Sequence, residues 1–102
     1  MVLLVDTVTV PATALAEYAE VLRTRAIPLM TEAGATLERL AVGDPELEDP
    51  VTVELSWSVT DFVEWNEVRK SLVLDPRYYE LGLLLHGMRT GGTRRFLHSQ
   101  SP

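Results

Sequence analysis

The sequence contains no cysteine and no long apolar run, and both absences limit what the protein can be. Without cysteine there is no disulfide framework, no thiolate nucleophile and no cysteine metal site, so the fold must be stable without cross-links. A reducing cytoplasm suits such a chain. The apolar start, Val2–Val5, is far too short for a signal-peptide core or a membrane span. We therefore expect a soluble, untargeted, cytoplasmic protein with no membrane partner.

Basic residues are also few, since 15 acidic side chains face 9 basic ones and the formal charge is −6. Phosphate backbones are bound mainly by clusters of lysine and arginine, so the composition argues against a nucleic-acid partner. The sequence has no serine–histidine–acid signature and no dinucleotide fingerprint, and the pair Gly91-Gly92 lacks a phosphate-binding pattern. Nucleotide-dependent chemistry is not expected.

The length of 102 residues indicates one domain spanning 1–102, with 99–102 as a frayed tail. Hydrophobic periodicity, turn residues and caps divide it into alternating strands and helices. Thr13 is the predicted N-cap of the first helix, Pro28 should kink that helix or begin a separate last turn, and Gly91-Gly92 should form a turn. The predicted elements are, in chain order, a strand over 2–10, a helix over 13–34, strands over 35–42 and 51–59, a helix from 61, a helix over 75–87 and a strand over 93–99.

This order of elements is that of the ferredoxin-like unit: α+β, βαββαβ, with a four-stranded antiparallel sheet and both helices on one face. In VTVELSWSV, residues 51–59, apolar and polar side chains alternate, which places Glu54 on the face opposite Trp57. The helix-free face should still be too apolar for water, because 2–5 and Phe96-Leu97 put apolar bulk on both faces. A second copy of the sheet is the economical cover, which predicts a homodimer with a shared barrel.

Three segments make the chain resemble the dimeric α+β barrel superfamily, and most of all its NIPSNAP group: IPLMTEAGATLERL, VTVELSWSV followed at once by a helix, and LDPRYY. The superfamily includes small cofactor-free monooxygenases, polyketide cyclases, lactone isomerases and haem-binding members. The resemblance implies a small-molecule pocket without specifying the reaction. Some of these cyclases carry a His-Pro-x-His segment, and the second histidine of that segment works at the pocket. This chain has Asp75-Pro76-Arg77-Tyr78 there, so Asp75 and Tyr78 stand at the two histidine positions.

Four residues are candidate catalytic groups. Glu54, if desolvated against a partner sheet, becomes a general base; alternatively it pairs with Arg39, Arg94 or Arg95 and fixes register. Tyr78 or Tyr79 could donate a hydrogen bond to a developing enolate or phenolate oxygen, or could be core residues. His86 shares a predicted inward face with Tyr79 and titrates near neutral pH, or it balances the helix dipole.

The expected pocket lies between the sheet and the helices. Its predicted walls are Val53, Leu55, Trp57, Trp65 and Leu83, with the two tryptophans first of all core residues. Asp6 interrupts an apolar strand and is either a second buried carboxylate or an edge residue facing solvent. A three-ligand metal site cannot be assembled from two histidines, although a haem needs only one. Together with these residues, the resemblance implies a cofactor-independent enzyme that acts on a hydrophobic aromatic or polyketide-like molecule by acid–base chemistry. The alternatives are a non-catalytic binding or dimeric assembly module, and a haem-binding member of the superfamily.

Overall fold

A computed structural model describes residues 1–101 of the chain. Four antiparallel strands form a single sheet in the spatial order β2-β3-β1-β4. The strands are β1 (Val2–Val10), β2 (Thr36–Val42), β3 (Val51–Val59) and β4 (Gly91–His98), and the α-helices are α1 (Leu15–Val21), α2 (Ile27–Ala33), α3 (Phe62–Val73) and α4 (Pro76–Met88). This is the predicted ferredoxin-like α+β fold. No helix in the described part of the chain is both long and apolar enough to cross a bilayer.

The register of the sheet separates a helix-covered face from a helix-free face. Leu4 lies opposite Trp57 on β3 and opposite Phe96 on β4, so these three side chains share the helix-covered face. Glu54 pairs with Thr7 of β1 and lies on the helix-free face, as the alternation predicts. The hydrophobic core fills the space between the first face and the helices, with Leu4, Leu22 and Trp57 among its fully buried side chains.

The first helical region differs from its prediction at Thr13 and agrees with it at Pro28. Thr13 lies within a 3₁₀ turn, Ala12–Ala14, and does not cap it; the Asp49 carboxylate accepts from the Ala12 amide at 3.0 Å instead. A π-helical segment, Leu22–Ala26, joins α1 to α2, and α2 is a separate last segment with Pro28 in its first turn. The wider π turn accommodates a residue that has no amide hydrogen. Gly34 ends α2 with φ of 113°, a conformation that favours glycine.

The starts of α3 and α4 follow the sequence signals. Asp61 caps α3 by accepting from the Glu64 amide at 2.9 Å, and the Glu64 carboxylate reaches back to the Thr60 amide at 3.1 Å. Asp75 caps α4 by accepting from the Arg77 amide at 2.9 Å, with Pro76 at the first helical position. Both helices therefore begin where the sequence predicts, because a carboxylate there accepts from a backbone amide that has no partner within the helix.

The glycine pair predicted to form a turn lies within β4. Gly91 pairs with Thr9 and Gly92 with Val8 of β1, so the turn falls at Arg89 and Thr90. A Cβ atom at Gly92 would meet Val8 Cγ1 at 3.0 Å and Arg89 Nη1 at 3.4 Å. Glycine at position 92 therefore lets the Val8 and Arg89 side chains approach the backbone closely, and it does not serve a turn.

The inward face of α4 is also different from the predicted one. Leu81 is buried, and Tyr78, Leu85 and Met88 pack partly buried against the core. Leu83, which was expected on the inward face, is 78% exposed. Both faces of this helix are apolar, so periodicity alone could not select the correct one. On α3, Phe62 is exposed, and its ring lies 5.9 Å from that of Phe96.

Candidate functional site

A cavity of about 360 Å³ lies between the helix-covered face of the sheet and the helices. This volume is within the range of ligand pockets, roughly 300–1,000 Å³. Its apolar wall is formed by Val8, Leu22, Ala26, Leu29, Met30, Leu55, Trp57, Leu81 and Leu85. Its polar lining is formed by Asp6, Tyr18, Tyr78, Arg89, Thr93 and Arg94. An apolar enclosure with a few convergent polar groups is the usual composition of a small-molecule site.

An ion pair between Asp6 and Arg94 is at the centre of the polar lining. The two residues are register partners on β1 and β4 and lie on the helix-covered face. Arg94 Nε donates to one Asp6 oxygen at 2.6 Å and Nη2 donates to the other at 3.0 Å. Bidentate geometry of this kind is the strongest form of the pair and fixes the guanidinium plane. Asp6 is therefore a paired carboxylate facing the cavity and not an edge residue facing solvent.

Arg94 links this pair to two aromatic side chains. Its guanidinium carbon lies 5.7 Å from the centroid of the Trp65 ring, a cation–π distance. It also interacts with Tyr78, which lines the same cavity. The hydrogen bonds that Arg94 donates to Asp6 raise the pKa of Arg94, and partial burial opposes this shift. Arg94 is thus a permanent, oriented cation beside the Tyr78 phenol.

Tyr18 and Arg89 occupy a second polar position in the lining. Tyr18 is only 2% exposed, and burial raises the pKa of its phenol, while the nearby Arg89 guanidinium acts in the opposite direction. Arg89 also contacts His86, with Nη2 at 3.2 Å from the imidazole Nδ1. Because a guanidinium only donates, the imidazole Nδ1 is the acceptor in this hydrogen bond.

Three of the predicted pocket residues line the cavity: Leu55, Trp57 and Tyr78. Val53 and Trp65 are buried in the core without lining it, and Leu83 is exposed on the outer side of α4. Trp65 nevertheless influences the site, because it supplies the aromatic face against which Arg94 lies. Strand alternation identified Leu55 and Trp57, since both belong to the helix-covered face of β3.

The other candidate catalytic residues lie outside the cavity. Glu54 is on the helix-free face, where it accepts from Arg39 Nη2 at 2.5 Å, so one of the pairings considered for it is present within the chain. Tyr79 is 55% exposed and stacks edge-on against Tyr78 at 5.8 Å between centroids. His86 reaches the site only through its contact with Arg89.

The sequence pattern did not single out Tyr18 or Arg89 as site residues. Tyr18 follows the periodicity of an ordinary core position, and Arg89 is an isolated cation at a helix end. Asp6 carried a visible signal, a carboxylate within an apolar strand, but its partner is far along the chain and is found only through strand pairing. No group of three or more metal-ligating side chains occurs in residues 1–101.

No family model matches the chain, and no curated protein matches it in sequence. Several solved structures are similar to the chain. An uncharacterised NIPSNAP-domain protein from Burkholderia xenovorans has a TM-score of 0.81 at 16% identity, over 99% of this chain and 96% of that one. A NIPSNAP family protein from Agrobacterium tumefaciens has a TM-score of 0.81 at 18% identity, over 97% of this chain and 92% of that one.

A third structure similar to the chain is SnoaB, a cofactor-independent oxygenase from Streptomyces nogalater. Its TM-score is 0.68 at 16% identity, and the match covers 99% of this chain and 94% of SnoaB. At such identities the likeness concerns the fold and not the activity. The predicted resemblance to NIPSNAP proteins and to a cofactor-free oxygenase is therefore confirmed as a likeness of fold.

Proposed function

We propose that this protein is a homodimeric, cofactor-independent enzyme that acts on a hydrophobic aromatic or polyketide-like molecule by acid–base chemistry. The observation that carries the proposal is the cavity itself, in which an apolar wall faces the polar group of Asp6, Arg94 and Tyr78. SnoaB, which has the same fold, is a cofactor-independent oxygenase, and this similarity supports the same class of chemistry here.

The proposed chemistry requires stabilisation of an oxygen that gains negative charge. Isomerisation, cyclisation and cofactor-free oxygenation of aromatic substrates all pass through an enolate or phenolate, which forms when the substrate loses a proton. The acceptor of that proton would be solvent water at the opening of the cavity, because Asp6 is paired with Arg94 and neither histidine lines the cavity. In the cavity, the Tyr78 hydroxyl would donate a hydrogen bond to that oxygen, and the Arg94 guanidinium would stabilise its charge. Asp6 engages Arg94 with both oxygens and so acts as a positioning residue. Trp57 and Leu22 would pack against the ring system of the substrate.

Of the four candidate catalytic residues, this proposal retains Tyr78. Glu54, Tyr79 and His86 do not line the cavity and are given no direct contact with substrate. Neither histidine of the chain lines the cavity, so the cavity offers no histidine to a haem iron.

The homodimer is proposed from the composition of the helix-free face. Leu3 and Leu97 are register partners on this face, and Leu97 is 40% exposed. The Arg39–Glu54 pair lies on the same face and would meet the partner sheet. Apolar side chains beside an ordered ion pair fit a self-complementary two-fold contact.

Native mass spectrometry of the purified protein tests the assembly, because one spectrum reports the number of subunits and any retained small molecule. Leu97→Asp should shift the dimer to monomer, whereas Leu83→Asp, a matched change on the exposed side of α4, should not. A wild-type monomer at micromolar concentration would contradict the dimer.

Turnover of a panel of phenolic and enolisable aromatic compounds tests the chemistry. Tyr78→Phe should lower turnover about 100-fold or more, as expected for loss of one donor to a developing oxyanion. Tyr79→Phe, on the adjacent exposed tyrosine, is the matched control and should leave turnover unchanged. Melting temperatures of both variants should stay near that of the wild type. If compounds bind but none is turned over, a non-catalytic binding module is the better description, in line with the higher TM-scores to the NIPSNAP proteins.

A further inference from the structure

The two arginines of the cavity differ in how their charge is balanced. Both oxygens of Asp6 are committed to Arg94, which neutralises that pair. Among the described residues Arg89 makes no salt bridge, and its side-chain partners are the His86 ring and the Tyr18 phenol, neither of which is an acidic side chain of the Asp or Glu type. The cavity of a chain with a formal charge of −6 thus carries one uncompensated positive charge. An apolar enclosure with one uncompensated cation is complementary to an anion.

The backbone around Arg89 keeps its guanidinium at the cavity. Arg89 follows α4 with an extended conformation, φ −97° and ψ 154°, so the chain turns there from the helix into β4. Gly92 leaves room for the guanidinium, because a Cβ atom there would lie 3.4 Å from Arg89 Nη1. His86, one helical turn earlier, accepts from Nη2 and holds the other side. Arg89 as a whole is exposed, which puts it at the opening of the cavity.

Tyr18 supplies a second donor next to Arg89. Its side chain is 2% exposed and lines the cavity, and residues 1–101 contain no buried side-chain polar atom without a hydrogen-bond partner or access to open space. The Tyr18 hydroxyl accepts a hydrogen bond from the Arg89 guanidinium, so the two groups lie side by side in the cavity lining. Burial keeps this phenol protonated, and a protonated phenol can donate to an anion.

We propose that the ligand of this cavity carries an anionic group, of the carboxylate type, which is bound by Arg89 and the Tyr18 hydroxyl while its aromatic part packs against Trp57. This inference rests on the proposed function, since it specifies the substrate class of the same cavity. It assigns separate tasks to the two arginines: Arg94, held by Asp6, stabilises the reacting oxygen, and Arg89 anchors the substrate. His86 acts as a positioning residue for Arg89.

The test compares naphthoate with naphthamide, a neutral aromatic of similar shape, by titration of tryptophan fluorescence and calorimetry at low ionic strength. The wild type should bind naphthoate about tenfold or more tightly than naphthamide, because a charge-assisted arginine–carboxylate contact is present only in the first. Arg89→Met should remove this preference and leave naphthamide binding unchanged. Arg95→Met, a change of the same kind on the helix-free face of β4, should leave the preference intact.

The possible negative results distinguish failure of the anion site from failure of the cavity as a ligand site. Equal binding of both compounds by the wild type, or a preference that survives Arg89→Met, would overturn the anion site and leave the aromatic-binding cavity standing. Absence of binding for both compounds would overturn the cavity as a ligand site and the proposed function with it. Equal weakening of both compounds in Arg89→Met would reduce Arg89 to a structural residue at a helix end.

Discussion

Removing the charge of Asp6 should cost far more stability than removing the charge of an exposed carboxylate. Asp6 is 19% exposed and Arg94 is 38% exposed, and their bidentate contact lies beside the core. Breaking a fully buried pair costs about 3–5 kcal/mol, because one charge is left without compensation. Water still reaches part of Arg94, so for Asp6→Asn we expect about 2 kcal/mol.

The matched control is Glu32→Gln. Glu32 pairs with Arg77 at 2.8 Å, but both side chains are about 60% exposed, at 60% and 59%. A pair of this kind is worth about 1 kcal/mol or less. Urea unfolding followed by tryptophan fluorescence gives the comparison, at one fixed protein concentration because assembly also affects stability. With an m value of about 2 kcal/mol per M, Asp6→Asn should lower the midpoint by roughly 1 M and Glu32→Gln by less than half of that.

A double variant distinguishes the effect of removing the whole ion pair from the effect of leaving one of its charges without a partner. Asp6→Leu with Arg94→Met replaces the two partners by apolar side chains, and such replacements are often neutral or stabilising. We expect the double variant to be more stable than Asp6→Asn and to have no turnover. Equal midpoint shifts in Asp6→Asn and Glu32→Gln, or a double variant no more stable than Asp6→Asn, would refute the account of a costly, desolvated pair.

Three further outcomes are expected elsewhere in the chain. Because burial raises the pKa of Tyr18, its contribution to stability is complete below pH of about 10 and is lost as the pH rises through the raised value. In an absorbance titration, Tyr18→Phe should lack one tyrosinate step of the wild type, and that step should lie at a higher pH than the titration of free tyrosine. Gly34→Ala should cost about 1–2 kcal/mol in urea unfolding, because φ of 113° is unfavourable for a residue with a Cβ atom. Asp61→Ala should cost about 1 kcal/mol in the same assay, because it leaves the Glu64 amide without its cap.

The fold could be predicted from the sequence because its signals are local. Alternation over Val51–Val59 assigned each side chain of β3 to the correct face, and Asp61 and Asp75 marked helix starts at which free amides need an acceptor. Each signal involves residues within a few positions of one another. The order of elements then left the ferredoxin-like unit as the simplest arrangement.

The errors arose where a local pattern had two solutions. On α4 one apolar stripe contains Tyr79 and Leu83 and another contains Tyr78 and Leu81, and only packing against the sheet selects the second. The pair Gly91-Gly92 has the composition of a turn, but its strand position is set by pairing with β1 and by the space needed near Gly92. Pairing of this kind is long-range and cannot be read from neighbours in the sequence.

The position of Asp6 is the strongest physical argument that the cavity serves a function. Its neighbours on the helix-covered face of β1, Leu4 and Val8, are buried and apolar, so an apolar residue at position 6 would continue the core and avoid the desolvation of a charge. The chain instead has a carboxylate whose partner, Arg94, extends along the cavity wall to Tyr78 and Trp65. A charged residue among apolar neighbours lowers stability relative to an apolar residue at the same position, and here it also orients a cation toward an apolar cavity. Such a local conflict with the folding pattern is expected at functional sites. If the Asp6–Arg94 pair served stability alone, the apolar double variant would keep its turnover; we expect turnover to be lost.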